Sequence, residues 1–423
     1  MQTQAPPRLT GLWGNPDFLK LWAGQTVSEF GSLLPTLGYV AILLLDATPF
    51  QVALLEAANT APGLLFALFA GVWVDRLRRR SLLIAADLGR ALLLGFVAAA
   101  FILHLLTVQH LFPVAFAISS LTVIFNLAYR SYLPSLVRRE QLLEANSKLT
   151  AGSSVVEFSA FSLGGWLVQW FSVVATTLID AGSFLVSALS LAWIRTSEDK
   201  PTTVTERRNM AQGIGEGLQL VWRHRLLRTI VVSTGIGSVG GGMIGALIGV
   251  YGLRELAIPP GILGMIWGVG GLTSTLGALY AGRLTRRIGI GPALVYSSLV
   301  ASIGTFFIPL AQGPLIVAAL LLVASQLVND PARTIESINE ISLRQTIAPD
   351  HLLGRVNSSM QFVELAGRLG GSILAAVVAA LIGVRLALTL AACLGLLASV
   401  WLLLSPVRTL RDLPTPVSQG EAR

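Results

Sequence analysis

A chain of 423 residues that is 53% hydrophobic and only 12% charged, with a mean hydropathy of +0.71, is not an ordinary soluble protein, because soluble domains carry about a quarter charged residues. The net charge of +8 does not point to nucleic acid: the charges gather in short clusters between long apolar runs, as expected where lipid solvates helices and water reaches only the loops. One cysteine and four scattered histidines exclude an intrachain disulfide and a thiolate or HExxH metal site.

The first residues, Met1 to Pro16, are polar and lack a short apolar stretch followed by a small-residue cleavage site, so the first apolar span is expected to be retained. A window of about 19 residues then predicts twelve helices, at about 18–45, 50–74, 81–104, 111–130, 146–171, 174–194, 227–252, 261–282, 291–310, 314–341, 355–382 and 385–405. The expected fold class is an all-α membrane protein of twelve transmembrane helices in two six-helix halves. Residues 1–194 make the first half, 195–226 a cytoplasmic linker whose stretch from Glu216 to His224 is amphipathic, 227–407 the second half, and 408–423 a cytoplasmic tail. Cys393 falls in an apolar run and is expected as a small core residue.

Lysine and arginine sit almost entirely on alternate loops. One side holds Arg76, Arg78, Arg79, Arg80, the 130–148 loop, the linker, Arg283, Arg286, Arg287, Arg344 and Arg355, while the other holds little more than Arg254 and Arg385. The positive-inside rule puts the first side, with both termini, in the cytoplasm.

The halves repeat. The segment from Ala70 to Arg76 is echoed by Ala281 to Arg287, Gln141 to Ser147 by His351 to Ser358, and Glu157 with Gly164-Gly165 by Glu364 with Gly370-Gly371. Three matched points in one register predict a parallel repeat of six helices.

Ionisable residues inside apolar spans are costly and therefore functional candidates. Glu29 lies in helix one, Glu56 in the outer part of helix two, Glu157 in helix five and Glu364 in helix eleven. Glu29 and Glu157 have no opposite charge within a helical turn, which ranks them highest as proton carriers. Glu364 can pair with Arg368 at i+4. Arg333, Glu336, Glu340 and Arg344 recur at three- and four-residue spacing in helix ten, as a gate network or a solvated helix end. Asp87 and Arg90 read as a structural pair near the cytoplasmic end of helix three. Aromatic residues such as Phe30, Phe125, Phe158 and Trp267 offer stacking surface for an apolar substrate. No GxxxxGK[ST] sequence is present, so pumping by ATP hydrolysis in this chain is excluded as a reading.

Residues 71–80, Gly-Val-Trp-Val-Asp-Arg-Leu-Arg-Arg-Arg, resemble the major facilitator signature G-x-L-A-D-R-x-G-R-K, with Trp73 and Arg78 replacing the usual Leu and Gly. Segments from Asn15 to Gln25, Ala128 to Val137, Leu178 to Phe184 and Leu353 to Asn357 resemble the bacterial exporter branch that includes macrolide and enterobactin exporters. The resemblance implies a secondary transporter that exports small amphipathic or hydrophobic molecules against protons. It would be a monomer in the bacterial inner membrane, with both termini cytoplasmic. Substrate, protons and lipids would be its partners, with no nucleic acid, no cofactor, no metal and no enzymatic chemistry. It also implies that Gly71, Asp75, Arg76, Arg79 and Arg80 form a cytoplasmic latch, and that Glu29, Glu157 and Glu364 face one central pathway. Asp180 matches the branch pattern close to the outer surface. The chain departs from the antiporter pattern at Ser162-Leu163, where Gly-Pro precedes the Gly-Gly pair. The alternative reading is a lipid flippase or uniporter-like protein.

Overall fold

A computed structural model describes residues 12–66, 77–138, 141–196, 215, 218–219 and 221–411. Their long helices are α1 (Pro16–Leu44), α2 (Pro49–Phe66), α3 (Arg79–Ile102), α4 (Val108–Leu136), α5 (Leu142–Phe171), α6 (Val173–Ala192), α7 (Arg225–Glu255), α8 (Pro260–Ile288), α9 (Ile290–Leu310), α10 (Leu315–Ile347), α11 (Asp350–Ile382) and α12 (Val384–Leu403). Ten are long and apolar enough to cross a membrane. Of the other two, α5 is diluted by Glu144, Lys148, Glu157 and a run of serines, while α2 carries Gln51, Glu56 and Asn59 and is described only as far as Phe66, the apolar run 67–74 lying outside the described residues. Helices α10 and α11 extend beyond their predicted spans because their ends on the basic side are too polar for a hydropathy window to count. Most of the predicted linker lies outside the described residues.

Local chemistry explains the ends and breaks. Asn15 caps α1, its side chain accepting from the Asp17 and Phe18 amides at 3.0 and 3.2 Å, with Pro16 at the first helical position. The helix is interrupted after Ser32, where Pro35 has no N–H to give, resumes at Thr36–Tyr39 and closes in a wide π turn at Val40–Leu44.

The repeat is written into the backbone. The π turn Val40–Leu44 recurs at Tyr251–Glu255. Asp46 and Ala257 both adopt left-handed φ, 48° and 49°, and Ser172 and Gly383 share a φ of 87°. All these pairs follow the register that joins Gly71 to Gly282. That register sets Glu157 opposite Arg368, one helical turn from the expected Glu364; a slip of one turn keeps the same helix face, which is why the sequence match looked sound. Ser172, at φ 87° and ψ 160°, occupies a region suited to glycine, at about 1–3 kcal/mol of strain, while its hydroxyl caps α6 at the Ala175 amide. Glycine as a cap is only a few tenths of a kcal/mol poorer. Ser172→Gly is therefore expected to stabilise the protein by about 1 kcal/mol, read as a higher melting temperature in detergent.

Two helix pairs join the halves, α5 along α8 and α2 along α11, with α7 also against α2. On the face that carries Arg254 and Arg385, one apolar core runs through both halves, from Tyr39, Val52 and Leu111 to Leu247, Tyr251 and Leu263. On the basic face the halves keep separate cores, one around Phe18, Leu83 and Tyr132 and the other around Leu227, Leu294 and Leu343. The bundle is thus sealed on one face and parted on the other. Its outside carries exposed aliphatics such as Leu92, Ile316 and Leu381, with Trp170 and Trp193 at helix ends, as a lipid environment requires. Cys393, expected in the core, is exposed on α12.

Candidate functional site

A cavity of about 630 Å³ lies where the halves meet, beneath the sealed face. Its wall includes the broken stretch of α1, the aromatic side chains of Tyr39, Phe161, Phe184 and Trp267, and two carboxylates, Glu56 and Asp180. A second cavity, of about 1010 Å³, lies towards the basic face within the second half, with Arg130 of the first half at its edge. Glu56, Asn59, Thr60 and Gly63 lie along one side of α2 and border a smaller space shared with Arg368 of α11, linking the aromatic chamber to the charged one.

The seal above the central cavity has two parts. Gly165 of α5 meets the backbone of Pro260 and Gly261 so closely that a Cβ at 165 would stand 2.0 Å from the Pro260 carbonyl oxygen. Arg254, at the end of α7, reaches across to the α1–α2 turn, donating to the Ala47 and Ile42 carbonyls at 2.6 Å each and meeting Asp46 Oδ1 at 2.8 Å. Asp46 is 96% exposed, so that ion pair contributes at most about 1 kcal/mol after solvent screening, whereas charged hydrogen bonds to carbonyls contribute about 1.5–3 kcal/mol. Arg254→Gln is accordingly expected to loosen the seal far more than Asp46→Asn. Spin labels at Gln109 and Gly313, one on each half of that face, should report a longer and broader distance distribution in the Arg254 variant; an unchanged distribution would remove Arg254 from the seal.

The carboxylates expected to carry protons fall into two environments. Glu29 is half-buried and accepts a hydrogen bond from Ser153 Oγ of α5 at 2.8 Å. Glu157, one turn beyond Ser153, is exposed and within electrostatic reach of Glu29. Glu364 pairs with Arg368 at 3.0 Å on the wall of the second cavity. That cavity also gathers the helix-ten residues: Arg333 meets Glu336 at 3.1 Å and Arg344 meets Glu340 at 3.4 Å. Among the aromatic candidates, Trp267 lines the central cavity, Phe158 is 37% exposed and lies over Gly271 of α8, and Phe30 is half-buried on α1. Phe125 is 3% exposed and packed inside the first half, stacked with Tyr129.

Of the signature, Gly71, Asp75 and Arg76 lie outside the described residues. Arg79 and Arg80 open α3, and Arg80 donates to the Leu191 and Ala192 carbonyls at 2.9 and 2.5 Å. It thereby caps the C-terminus of α6 in its own half, where unpaired carbonyls favour a cation.

Three charged residues of the first half are enclosed. Asp87 and Arg90, the structural pair expected in the cytoplasmic part of α3, are bonded to one another and fully buried, and the Arg90 guanidinium lies between the rings of Phe125 and Phe184, 4.5 and 4.2 Å from their centres. Asp180, expected near the outer surface, is 4% exposed and lines the central cavity, accepting from Thr36 Oγ1 at 3.2 Å. Glu56 carried a visible signal that went unused: with Asn59, Thr60 and Gly63 it makes a polar stripe at i, i+3, i+4 and i+7.

A family model described as transmembrane secretion effector, of the major facilitator (MFS) class, matches residues 13–417. The "Uncharacterized MFS-type transporter YfiS" of Bacillus subtilis is 27% identical over 392 residues, covering 89% of this chain and 90% of its own. The "Multidrug efflux pump Tap" of Mycobacterium tuberculosis is 28% identical over 344 residues, covering 78% and 79%. Among solved structures, a bacterial homologue of the iron transporter ferroportin, 18% identical, covers 92% of this chain and 98% of its own, with a TM-score of 0.70 in its inward-facing state and 0.56 in its outward-facing state.

Proposed function

Since the chain belongs to the major facilitator family of transmembrane secretion effectors, we propose that this transporter exports small amphipathic molecules in exchange for protons, by alternating access across a bacterial inner membrane. The observation that carries the reading is the central cavity: aromatic and acidic, about 630 Å³, sealed on one face by Arg254 and the Gly165–Pro260 contact and flanked on the other by separated cores. Lysine and arginine crowd that parted face, so the cavity opens to the cytoplasm, where both termini lie. The better match to the inward-facing state of the ferroportin homologue supports the same assignment, and the name of the Tap pump supports export.

Residues 1–194 and 227–407 act as two moving halves joined by 195–226, with 408–423 as a tail. The protein works as a monomer among lipids, with substrate and protons as its partners. Gly71, Asp75, Arg76, Arg79 and Arg80 latch the cytoplasmic ends when the opposite face opens. Glu29 and Glu157, reached from the cytoplasmic side, pass protons between water and the cavity, and Glu364 with Arg333, Glu336, Glu340 and Arg368 forms the charged inner gate.

The test is substrate uptake by inverted vesicles or proteoliposomes under an imposed pH gradient. Wild-type protein should accumulate substrate uphill. Glu29→Gln combined with Glu157→Gln should lose gradient-driven accumulation yet keep downhill exchange, because moving between states does not require those carboxylates to ionise. Wild-type protein that equilibrates substrate but never concentrates it would favour the uniporter reading, to which the Ser162-Leu163 departure from the antiporter pattern belongs.

A further inference from the structure

Helices α3 and α6 of the first half correspond to α9 and α12 of the second. The register that pairs Asp46 with Ala257 pairs Asp87 with Ser298 and Arg90 with Ala301. In the second half these two helices meet through hydroxyls: Ser399 Oγ lies 2.8 Å from both Ser298 Oγ and Ser302 Oγ, all three buried, with the Arg333 guanidinium of α10 reaching Gly395 beside Ser302. The contact between the two helices is therefore made without an ion pair of their own. The first half nevertheless encloses three ionisable groups at the same place, Asp87, Arg90 and Asp180, with relative exposures of 0, 2 and 4%.

The charges do not balance. Arg90 is bonded to Asp87 and lies between the two aromatic rings, its Nε and Asp87 Oδ2 having no hydrogen-bond partner. Asp180 lies within its electrostatic reach without being bonded to it. One carboxylate oxygen of Asp180 takes the Thr36 hydroxyl, while Oδ1 has no bonding partner. That free oxygen sits over Gly31, where a Cβ would stand 2.6 Å away, and the residue is on the wall of the central cavity. Among the described residues the surroundings offer no second cation. Helix α1 presents Thr36 and Gly31, and its Glu29 is bonded to Ser153; α5 contributes Phe161 and Gly165 to the cavity; Glu56 of α2 stands elsewhere on its wall. A buried site with one cation for two carboxylates must acquire one more positive charge.

Resting on the proton-exchange reading above, we infer that Asp180 is the exchange point, holding a proton when the cavity is empty and yielding it to a monovalent lipophilic cation. The proton leaves a carboxyl oxygen of Asp180 for cavity water as the cation enters, so one positive charge replaces another and the site keeps its charge. Arg90 is a positioning residue that fixes Asp87 and leaves Asp180 the surplus. Phe161 and Trp267 supply faces on which an aromatic cation can lie, the Phe184 ring being already occupied by Arg90.

The experiment uses the purified full chain in weakly buffered detergent, titrated with tetraphenylphosphonium while tryptophan fluorescence reports binding and a pH indicator reports protons. Wild-type protein should release about one proton per cation bound, as linkage requires of a site that exchanges one for the other. Asp180→Asn should bind at least about tenfold more weakly, a loss of about 1.4 kcal/mol, and release none. Neutral triphenylphosphine oxide should release no protons from the wild-type protein, an arm that requires no variant to fold. Proton release by Asp180→Asn equal to wild type, or cation binding by wild type without release, overturns the inference. Failure of wild-type protein to concentrate substrate under a pH gradient, with cation-linked release intact, would instead defeat only the transport reading.

Discussion

Gly165→Leu is expected to abolish transport while leaving the protein folded and inserted. The position has no room for a side chain only when the sealed face is sealed: a Cβ there would stand 2.0 Å from the Pro260 carbonyl oxygen and 3.2 Å from the Gly261 Cα. These are backbone atoms that cannot rotate aside, and Gly261 is itself wedged against the Trp166 ring. The contact joins α5 of one half to α8 of the other, so a side chain at 165 leaves each half intact and acts on their approach. Even Gly165→Ala, at the usual overpacking cost of about 1–3 kcal/mol, shifts the balance of the two states by about 5- to 150-fold; leucine should hold the protein open on the Arg254 face. The checks are the uptake assay, the spin-label distance between Gln109 and Gly313, and the monodisperse yield after extraction. Normal uptake by the leucine variant would mean that this contact is not part of the cycle.

The largest expected loss of stability is Arg90→Ala. Both members of the Asp87–Arg90 pair are enclosed, with side-chain exposures of 0 and 3%, so removing the cation leaves an uncompensated buried carboxylate, a change of about 3–5 kcal/mol. The loss of two desolvated ring contacts adds to it, each worth up to about 2 kcal/mol. Against a total stability of about 5–15 kcal/mol, the variant should accumulate poorly and give little monodisperse protein. Asp87→Leu combined with Arg90→Met, which fills the space with apolar atoms, should recover most of the yield, because replacing both partners of a buried pair is often neutral. Wild-type yield and melting temperature for Arg90→Ala alone would show that the pair is not enclosed in the membrane-embedded protein.

Most of the fold was legible because lipid imposes a coarse rule: long apolar runs, arginine on one side, and a repeat in register. The exceptions have physical causes. Helix ends on the basic side were read short because Arg344 and the first turns of α11 are too polar for a hydropathy window, although backbone hydrogen bonding continues through them. The site was harder. Glu29 and Glu157 stood out because nothing nearby in sequence neutralises them, but isolation in sequence does not mean enclosure in space: Glu157 is exposed, while Asp180, expected close to the outer surface of the membrane, is enclosed between helices. What enclosed it was the approach of α1 to α6 at Gly24 and Gly31, where a Cβ would crowd Ser190, Ser183 and Asp180. Such contacts between distant segments leave no local periodicity. The Phe125 ring was assigned to substrate for the same reason: an aromatic in a span reads alike whether it faces a cavity or, as here, a buried arginine.

The core shared by the two halves on the Arg254 face is built of apolar side chains, whereas the cavity towards the parted face gathers ion pairs, and this gives the conformational cycle a calorimetric signature. Opening the Arg254 face hydrates part of that apolar core, a step with a positive heat capacity change, while closing the basic face withdraws charged groups from water. The balance of states should therefore drift with temperature along a curve rather than a line. Because apolar burial weakens on cooling, the cold protein should lean towards the state open on the Arg254 face.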